Sequence, residues 1–268
     1  MSGRINAYFV CAGKYHDIDF ARIEILKLLN EKERIRVRMA ETYHDLDAIT
    51  ASDFLITYTV DAIPTTAEQE AISAWLAAGG KWFALHGTNS ILRIEDGLCK
   101  APRDEAPVLM HMLGSQFVAH PPIIPYTVEV VEPDHPLVRG IPPHFEVLDE
   151  LYLADIHKGN RVLLQTHFNG MAEDGFEELD WRTDEPRPVM YLRDHGAGEV
   201  LYLTLGHRRG RYDMEPFTPD YPKIDPGAWI QPAFYELLRR GIEWAAGLGQ
   251  WAPDEQRQPE TAEIPPSN

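Results

Sequence analysis

Apolar, strand-forming runs alternate with helix-patterned segments through residues 5–85, and this alternation restricts the chain to few architectures. INAYFVC (5–11) is a run of strand formers closed by Ala12-Gly13. Over 19–30, Ile25, Leu28 and Leu29 fall at i, i+3 and i+4, the spacing of one helix face. RIRVRMA (34–40) alternates and reads as an edge or half-exposed strand, and DFLITYT (53–59) as a buried one. Thr65 and Glu68 form a capping box just after Pro64, opening a helix to Ala78 with Ile72, Trp75 and Leu76 facing the core. Gly79-Gly80 stops it, and KWFAL (81–85) follows as a strand. Strands that alternate with helices pair in parallel through right-handed crossovers. The predicted fold is therefore α/β, a doubly wound, mostly parallel open sheet.

Beyond residue 90 the pattern loosens. Residues 104–113 suit a short helix, YTVEVV (126–131) a clean alternating strand and HPLVRGIP (135–142) a turn-rich connection. FEVLDELYL (145–153) and RVLLQTHF (161–168) read as strands. PVMYLRD (188–194) and EVLYLTLG (199–206) read as a hairpin turning at Ala197-Gly198, which gives the sheet an antiparallel C-terminal extension. A last helix over 232–246 carries Phe234, Leu237, Leu238 and Ile242 on one face. Residues 1–247 read as one domain. Residues 248–268, rich in Pro, Gln and Glu, read as a disordered tail.

The net charge of −17 argues against nucleic acid or an anionic membrane as partner. Two cysteines, Cys11 and Cys99, make no disulfide framework and fit a reducing, cytoplasmic setting. No apolar run approaches the roughly 18 residues of a membrane span, and the N-terminus lacks the h-region of a signal peptide. A homodimer is the oligomer that general symmetry preferences favour.

In an open α/β sheet, ligands bind beyond the carboxyl ends of the strands. His16 follows the first predicted strand, His86 the KWFAL strand, and His207 with Arg208 and Arg209 the EVLYLTLG strand. SQFVAHPP places His120 after a short apolar stretch, and FEVLDELY supplies Asp149, Glu150 and Tyr152. Imidazoles and a carboxylate from distant segments can hold a divalent metal or act as general acid and base. Each has a plainer reading: His16-Asp17 as a helix start, His120 as a loop residue, the arginines as a solvated run. Glu150 within an apolar run is the hardest to dismiss, because a buried carboxylate needs a partner. Asp149, on strand alternation, points to the opposite face. Cys11 suits a small core residue, and Cys99 has no activating base in sight. No compact metal motif such as HExxH occurs, nor a signal for a nucleotide cofactor.

Gly13…His16-Asp17, Ala84-Leu85-His86-Gly87, Gly114…Phe117…His120-Pro121, Asp134-His135-Pro136-Leu137, Asp149-Glu150-Leu151-Tyr152, Leu203-Thr204-Leu205-Gly206-His207 and Gly241-Ile242…Trp244-Ala245 occur in that order. Together they resemble the trehalose-utilisation, or ThuA-like, family over residues 5–247. The resemblance implies a class I glutamine amidotransferase-like, flavodoxin-like fold. His86 stands where true amidotransferases carry the nucleophilic Cys, and Arg209 where they carry the Glu of a His-x-Glu pair. Glutamine hydrolysis needs a thiolate, so it is not expected. The expected function is carbohydrate chemistry on a trehalose-like glycoside or its 3-keto derivative, by isomerisation or hydrolysis. His86, His207 and Glu150 are the acid–base candidates. His120, His207 and Glu150 are candidate ligands of one divalent ion, zinc or manganese. His16, Tyr152 and Arg208 are candidate substrate contacts, and Trp181 or Trp229 could offer a stacking face. The alternative is a non-catalytic sugar- or partner-binding protein on the same fold.

Overall fold

A computed structural model describes residues 3–215 and 217–251. The elements, in chain order, are β1 (Ile5–Gly13), α1 (Ile18–Asn30), β2 (Ile35–Ala40), α2 (Leu46–Thr50), β3 (Phe54–Val60), α3 (Thr66–Ala77) and β4 (Lys81–Leu85). They continue with β5 (Arg93–Glu95), β6 (Leu98–Lys100), α4 (Pro107–Leu113), β7 (Ser115–Ala119), β8 (Pro125–Val130), β9 (His144–Leu148) and β10 (Leu153–Ile156). β11 (Asn160–His167), β12 (Pro186–His195), β13 (Gly198–Leu203) and α5 (Pro232–Ala245) complete the order.

The fold is mixed α/β around a nine-stranded sheet ordered β2-β1-β3-β4-β13-β12-β11-β8-β9. From β2 to β13 every pairing is parallel. From β13 to β9 every pairing is antiparallel. The antiparallel part comes from residues 125–195, the middle of the chain, and β13 then returns beside β4 in parallel. β12 and β13 form a hairpin with His195 opposite Gly198, so its two turn residues are Gly196-Ala197.

Local chemistry explains the helices. Asp17 caps α1 by accepting from the Phe20 N–H at 3.0 Å. Thr65 and Glu68 make the reciprocal capping box of α3. Ile25, Leu28 and Leu29 of α1 share a buried layer with Phe234, Leu237, Leu238 and Ile242 of α5 on one sheet face. Ile72 and Leu76 of α3 pack with Ile49 of α2 and Leu109 and Leu113 of α4 on the other. Trp75, expected in the core, is only half-buried and lies flat over Gly80, where a Cβ would come within 2.8 Å of its ring. No helix among the described residues is long and apolar enough to cross a membrane.

FEVLDELYL does not form one strand. β9 ends at Leu148 and β10 begins at Leu153, and Asp149–Tyr152 run between them. The Asp149 carboxylate draws four backbone N–H groups to itself, from Glu150 (2.8 Å), Gly206 (3.1 Å), His207 (3.2 Å) and Ala228 (2.7 Å). A ladder cannot continue through a residue organised around a side-chain acceptor. β10 pairs instead with β7 in a two-stranded antiparallel sheet, Leu153 opposite Ala119. Of the expected tail, residues 249–251 form a short 3-10 turn whose Trp251 packs on the core, and residues 252–268 lie outside the described residues.

Candidate active site

The parallel strands β1, β4 and β13 end at one edge of the sheet, and the turns after them deliver His16, His86 and His207. His86 opens a 3-10 turn at φ +45°, a left-handed backbone that turns its side chain sharply away from β4. The Tyr202 hydroxyl donates to the His86 carbonyl and accepts from the Asn89 N–H at 3.1 Å, locking that turn. Gly87 must be glycine, because a Cβ there would lie 2.4 Å from Val60 Cγ2 and 2.8 Å from the Thr59 carbonyl. The register of β7 and β10 brings the other two groups together, His120 just after β7 and Glu150 just before β10.

His16, His86, His207 and Glu150 form a buried cluster in which one donor atom from each lies within 4.8 Å of all the others. His16 Nε2 is 2.9 Å from His86 Nε2 and 3.1 Å from His207 Nδ1. Glu150 Oε2 is 3.7 Å from His16 Nε2 and 3.6 Å from His86 Nε2, and its Oε1 is 3.6 Å from His207 Nδ1.

The outer nitrogens decide the protonation. His16 Nδ1 lies 3.2 Å from the Lys14 carbonyl and His86 Nδ1 lies 2.8 Å from the Thr204 carbonyl. A carbonyl only accepts, so each Nδ1 carries the proton and each Nε2 turns a lone pair inward. Burial pushes His16 down to about 4 and His86 well below its ordinary value, so both rings are neutral at physiological pH. For His207, burial opposes the charged form, but Glu150 and Asp225 outweigh it and hold the ring up at about 9. Burial likewise works against the Glu150 carboxylate, and His120, His207 and His16 overcome it and hold it well below the usual range.

A protonated His207 Nδ1 can donate to His16 Nε2. The His16 and His86 lone pairs then still face each other at 2.9 Å. A cation among the donors removes that conflict. Donor atoms at the corners of a tetrahedron with bonds of about 2.0–2.1 Å lie about 3.3 Å apart; the pairs that involve His16 or Glu150 lie at 2.9–3.7 Å, and the whole set spreads to 4.8 Å. The Lys14 and Thr204 carbonyls and Asp225, 3.8 Å from His207 Nε2, occupy the outer positions that orient ligating imidazoles.

The cluster forms the inner end of a cleft of about 400 Å³. His16, Glu150, His120, Arg209 and Tyr152 line it; His86 and His207, with no exposed surface, stand behind them. His120 Nε2 meets Glu150 Oε1 at 3.2 Å while its Nδ1 reaches the Pro121 carbonyl at 2.8 Å, so it stands outside the group of converging donors. Tyr152 packs between His86 and Phe117, with ring centroids 5.0 and 4.6 Å away.

Several sequence expectations change. Arg208 does not reach the cleft; its guanidinium lies over the Phe20 ring at 4.3 Å and 3.9 Å from Asp17, because neighbouring side chains diverge. Arg209 faces the site, 3.7 Å from Glu150 and bonded to the Tyr15 carbonyl at 3.0 Å. Trp229 is core, packed on Phe20, Tyr58 and Phe234, and Trp181 stacks with Arg187. Asp149 does not point away: it is buried and ties the Glu150 and His207 segments together. The adjacent acids in an apolar run were its signal. Asp225, in a turn-rich loop, left none. Burial pushes the Cys11 thiol up to about 12 and Cys99 up to about 11, the reverse of an activated thiolate.

A profile of the family described as trehalose utilisation, ThuA, matches residues 8–219. The chain belongs to the ThuA family. No curated protein matches it. Among solved structures, this ThuA chain is similar to a ThuA-like protein of Bacteroides uniformis, at TM-score 0.62 and 17% identity over 91% of this chain and 92% of that one. A ThuA-like protein of Parabacteroides merdae follows, at TM-score 0.57 and 16% identity over 91% and 90%. A GMP synthase component of Thermoplasma acidophilum aligns at TM-score 0.50 and 9% identity over 92% and 96%, which supports the amidotransferase-like fold. Family membership points this ThuA chain toward carbohydrate metabolism.

Proposed function

We propose that this ThuA protein is a metal-dependent enzyme acting on a trehalose-like glycoside or its 3-keto derivative. One divalent ion, zinc or manganese, is held by His16, His86, His207 and Glu150. The observation that carries this reading is the set of inward lone pairs whose outer nitrogens are committed to carbonyls, with two neutral imidazoles in a 2.9 Å contact that only an added proton or cation would relieve. Such an ion, when bound, polarises a carbonyl or hydroxyl oxygen and stabilises negative charge developing on it.

The chain's own residues supply the rest. His120, at the cleft wall, is the residue to move a proton between substrate and solvent, since His86 and His207 have no surface in the cleft. Arg209 presents a positive charge toward the same end, Tyr152 lines it, and the half-buried Phe176 offers a ring to a sugar. Val60 and Phe117 add buried apolar surface to the same cleft.

The test is metal content of the untagged protein beside His16→Ala and His207→Ala. Near-stoichiometric metal in the wild type, lost in both variants, is expected. A wild type that stays metal-free after incubation with zinc, manganese and nickel overturns the metal reading. Turnover of a 3-keto glycoside by the metal-loaded wild type, abolished in His120→Ala with metal retained, separates an enzyme from a sugar-binding protein.

A further inference from the structure

The cleft has two chemically different ends. Its inner end carries the buried polar groups His16, Glu150, His120 and Arg209. Toward solvent it carries an apolar group, Leu92 and Ile94 at β5 together with Met214 and Phe217. Ile94 is 44% exposed and Phe217 51%, and both line the cleft rather than stand alone on the surface. Among the exposed lining residues, the carboxylates Glu173 and Asp174 can accept from hydroxyl groups, while Ile94 and Phe217 cannot. Beside those carboxylates the cleft presents hydrocarbon at Ile94 and an aromatic ring at Phe217, continuous with the site that would hold the sugar.

The charge of the lining is equally selective. Glu150, Glu173 and Asp174 border the cleft. The one Arg or Lys among its described lining residues, Arg209, already faces Glu150 at 3.7 Å and Asp225 at 3.8 Å. Away from the ion, a phosphoryl group would bring two negative charges to carboxylates with no free Arg or Lys among the described lining residues to receive them.

We infer that the natural substrate is an unphosphorylated glycoside with an apolar, aromatic or alkyl aglycone, the sugar held at the inner end and the aglycone between Ile94 and Phe217. This rests on the reading of the cleft as a sugar site. Removing a phenyl group from water at the mouth is worth at least a tenfold gain in affinity.

The experiment measures binding of methyl, phenyl and 2-naphthyl α-glucosides and of glucose 6-phosphate to the manganese-loaded full chain. Affinity is expected to rise at least tenfold from methyl to phenyl and further to naphthyl, with the phosphate at least tenfold weaker than the methyl glycoside. Ile94→Ser and Phe217→Ser replace exposed side chains, so folding is preserved. Each is expected to cut the phenyl-to-methyl ratio below threefold. Equal affinity for methyl and phenyl glucosides, or an unchanged ratio in both variants, overturns the aglycone assignment and leaves the sugar reading standing. Tighter binding of the phosphate overturns the assignment of an unphosphorylated substrate. Failure of the metal-loaded protein to bind any glycoside overturns the sugar reading and this inference with it.

Discussion

Metal binding by this protein is expected to release one proton at neutral pH, and His207 is its source. In the metal-free site Glu150 and Asp225 hold the ring up at about 9 against the effect of burial. At pH 7 the imidazole is therefore about 99% protonated, and a ligating nitrogen must first lose that proton. Two pH units correspond to ~2.7 kcal/mol of binding energy, about a hundredfold in affinity. His16, down at about 4, and His86 and Glu150, both well below their ordinary ranges, are already deprotonated and add nothing in this window. Apparent affinity for manganese should rise about tenfold per pH unit between roughly pH 6.5 and 8.5 and level off above about 9. Calorimetric titration in buffers of different ionisation enthalpy counts the proton directly. Asp225→Asn removes one of the two carboxylates that sustain the His207 charge, so it should flatten the pH slope. A wild type that binds manganese with no proton release at pH 7 and flat affinity would refute the assignment of His207 as a charged ligand precursor.

The same ring links pH to the stability of the metal-free protein. Its folded value of about 9 lies above the ordinary 6.5, so the stabilisation is fully present below about 6.5 and lost as pH rises through 9, on the order of 3 kcal/mol, readable from urea midpoints. Gly227→Ala would place a Cβ 1.6 Å from the His207 carbonyl at φ +58°. It should lower stability by at least ~2 kcal/mol and weaken manganese binding, and a variant with wild-type values for both would show that this backbone yields freely. Tyr202→Phe removes the donor to the His86 carbonyl and the acceptor of the Asn89 N–H; a loss of ~1–3 kcal/mol in denaturant titration is expected. Phe234→Ala empties a site packed against Trp229 at 4.9 Å and should cost ~3–5 kcal/mol by the same measurement.

Much of the frame was legible in the residues. The faces of α1 and α5 follow from 3.6-residue spacing, and the capping box of α3 from Thr65 and Glu68. The ends of β1, β4 and β13 marked where His16, His86 and His207 would lie, because parallel strands expose their carboxyl ends along one edge. The split of residues 145–153 was not legible. An apolar run with two acids alternates like a strand, and only the N–H groups arriving from Gly206, His207 and Ala228 show that Asp149 is a hub. Arg208 and Arg209 were indistinguishable for a similar reason, since which of two neighbours faces the cleft depends on the path of the loop.

The sequence by itself determined the α/β alternation, the apolar faces of the helices and the supply of imidazoles near one sheet edge. These depend on short-range periodicity, which spacing records. Tertiary structure alone decided which nitrogens point inward. That choice is made by the Lys14 and Thr204 carbonyls, by the left-handed backbone at His86 and by the β7–β10 register that carries Glu150 to the cluster and His120 beside it. The Thr204 contact and the β7–β10 register join residues far apart in the chain, and even the local turns at His16 and His86 take their form from how the loops close over the sheet.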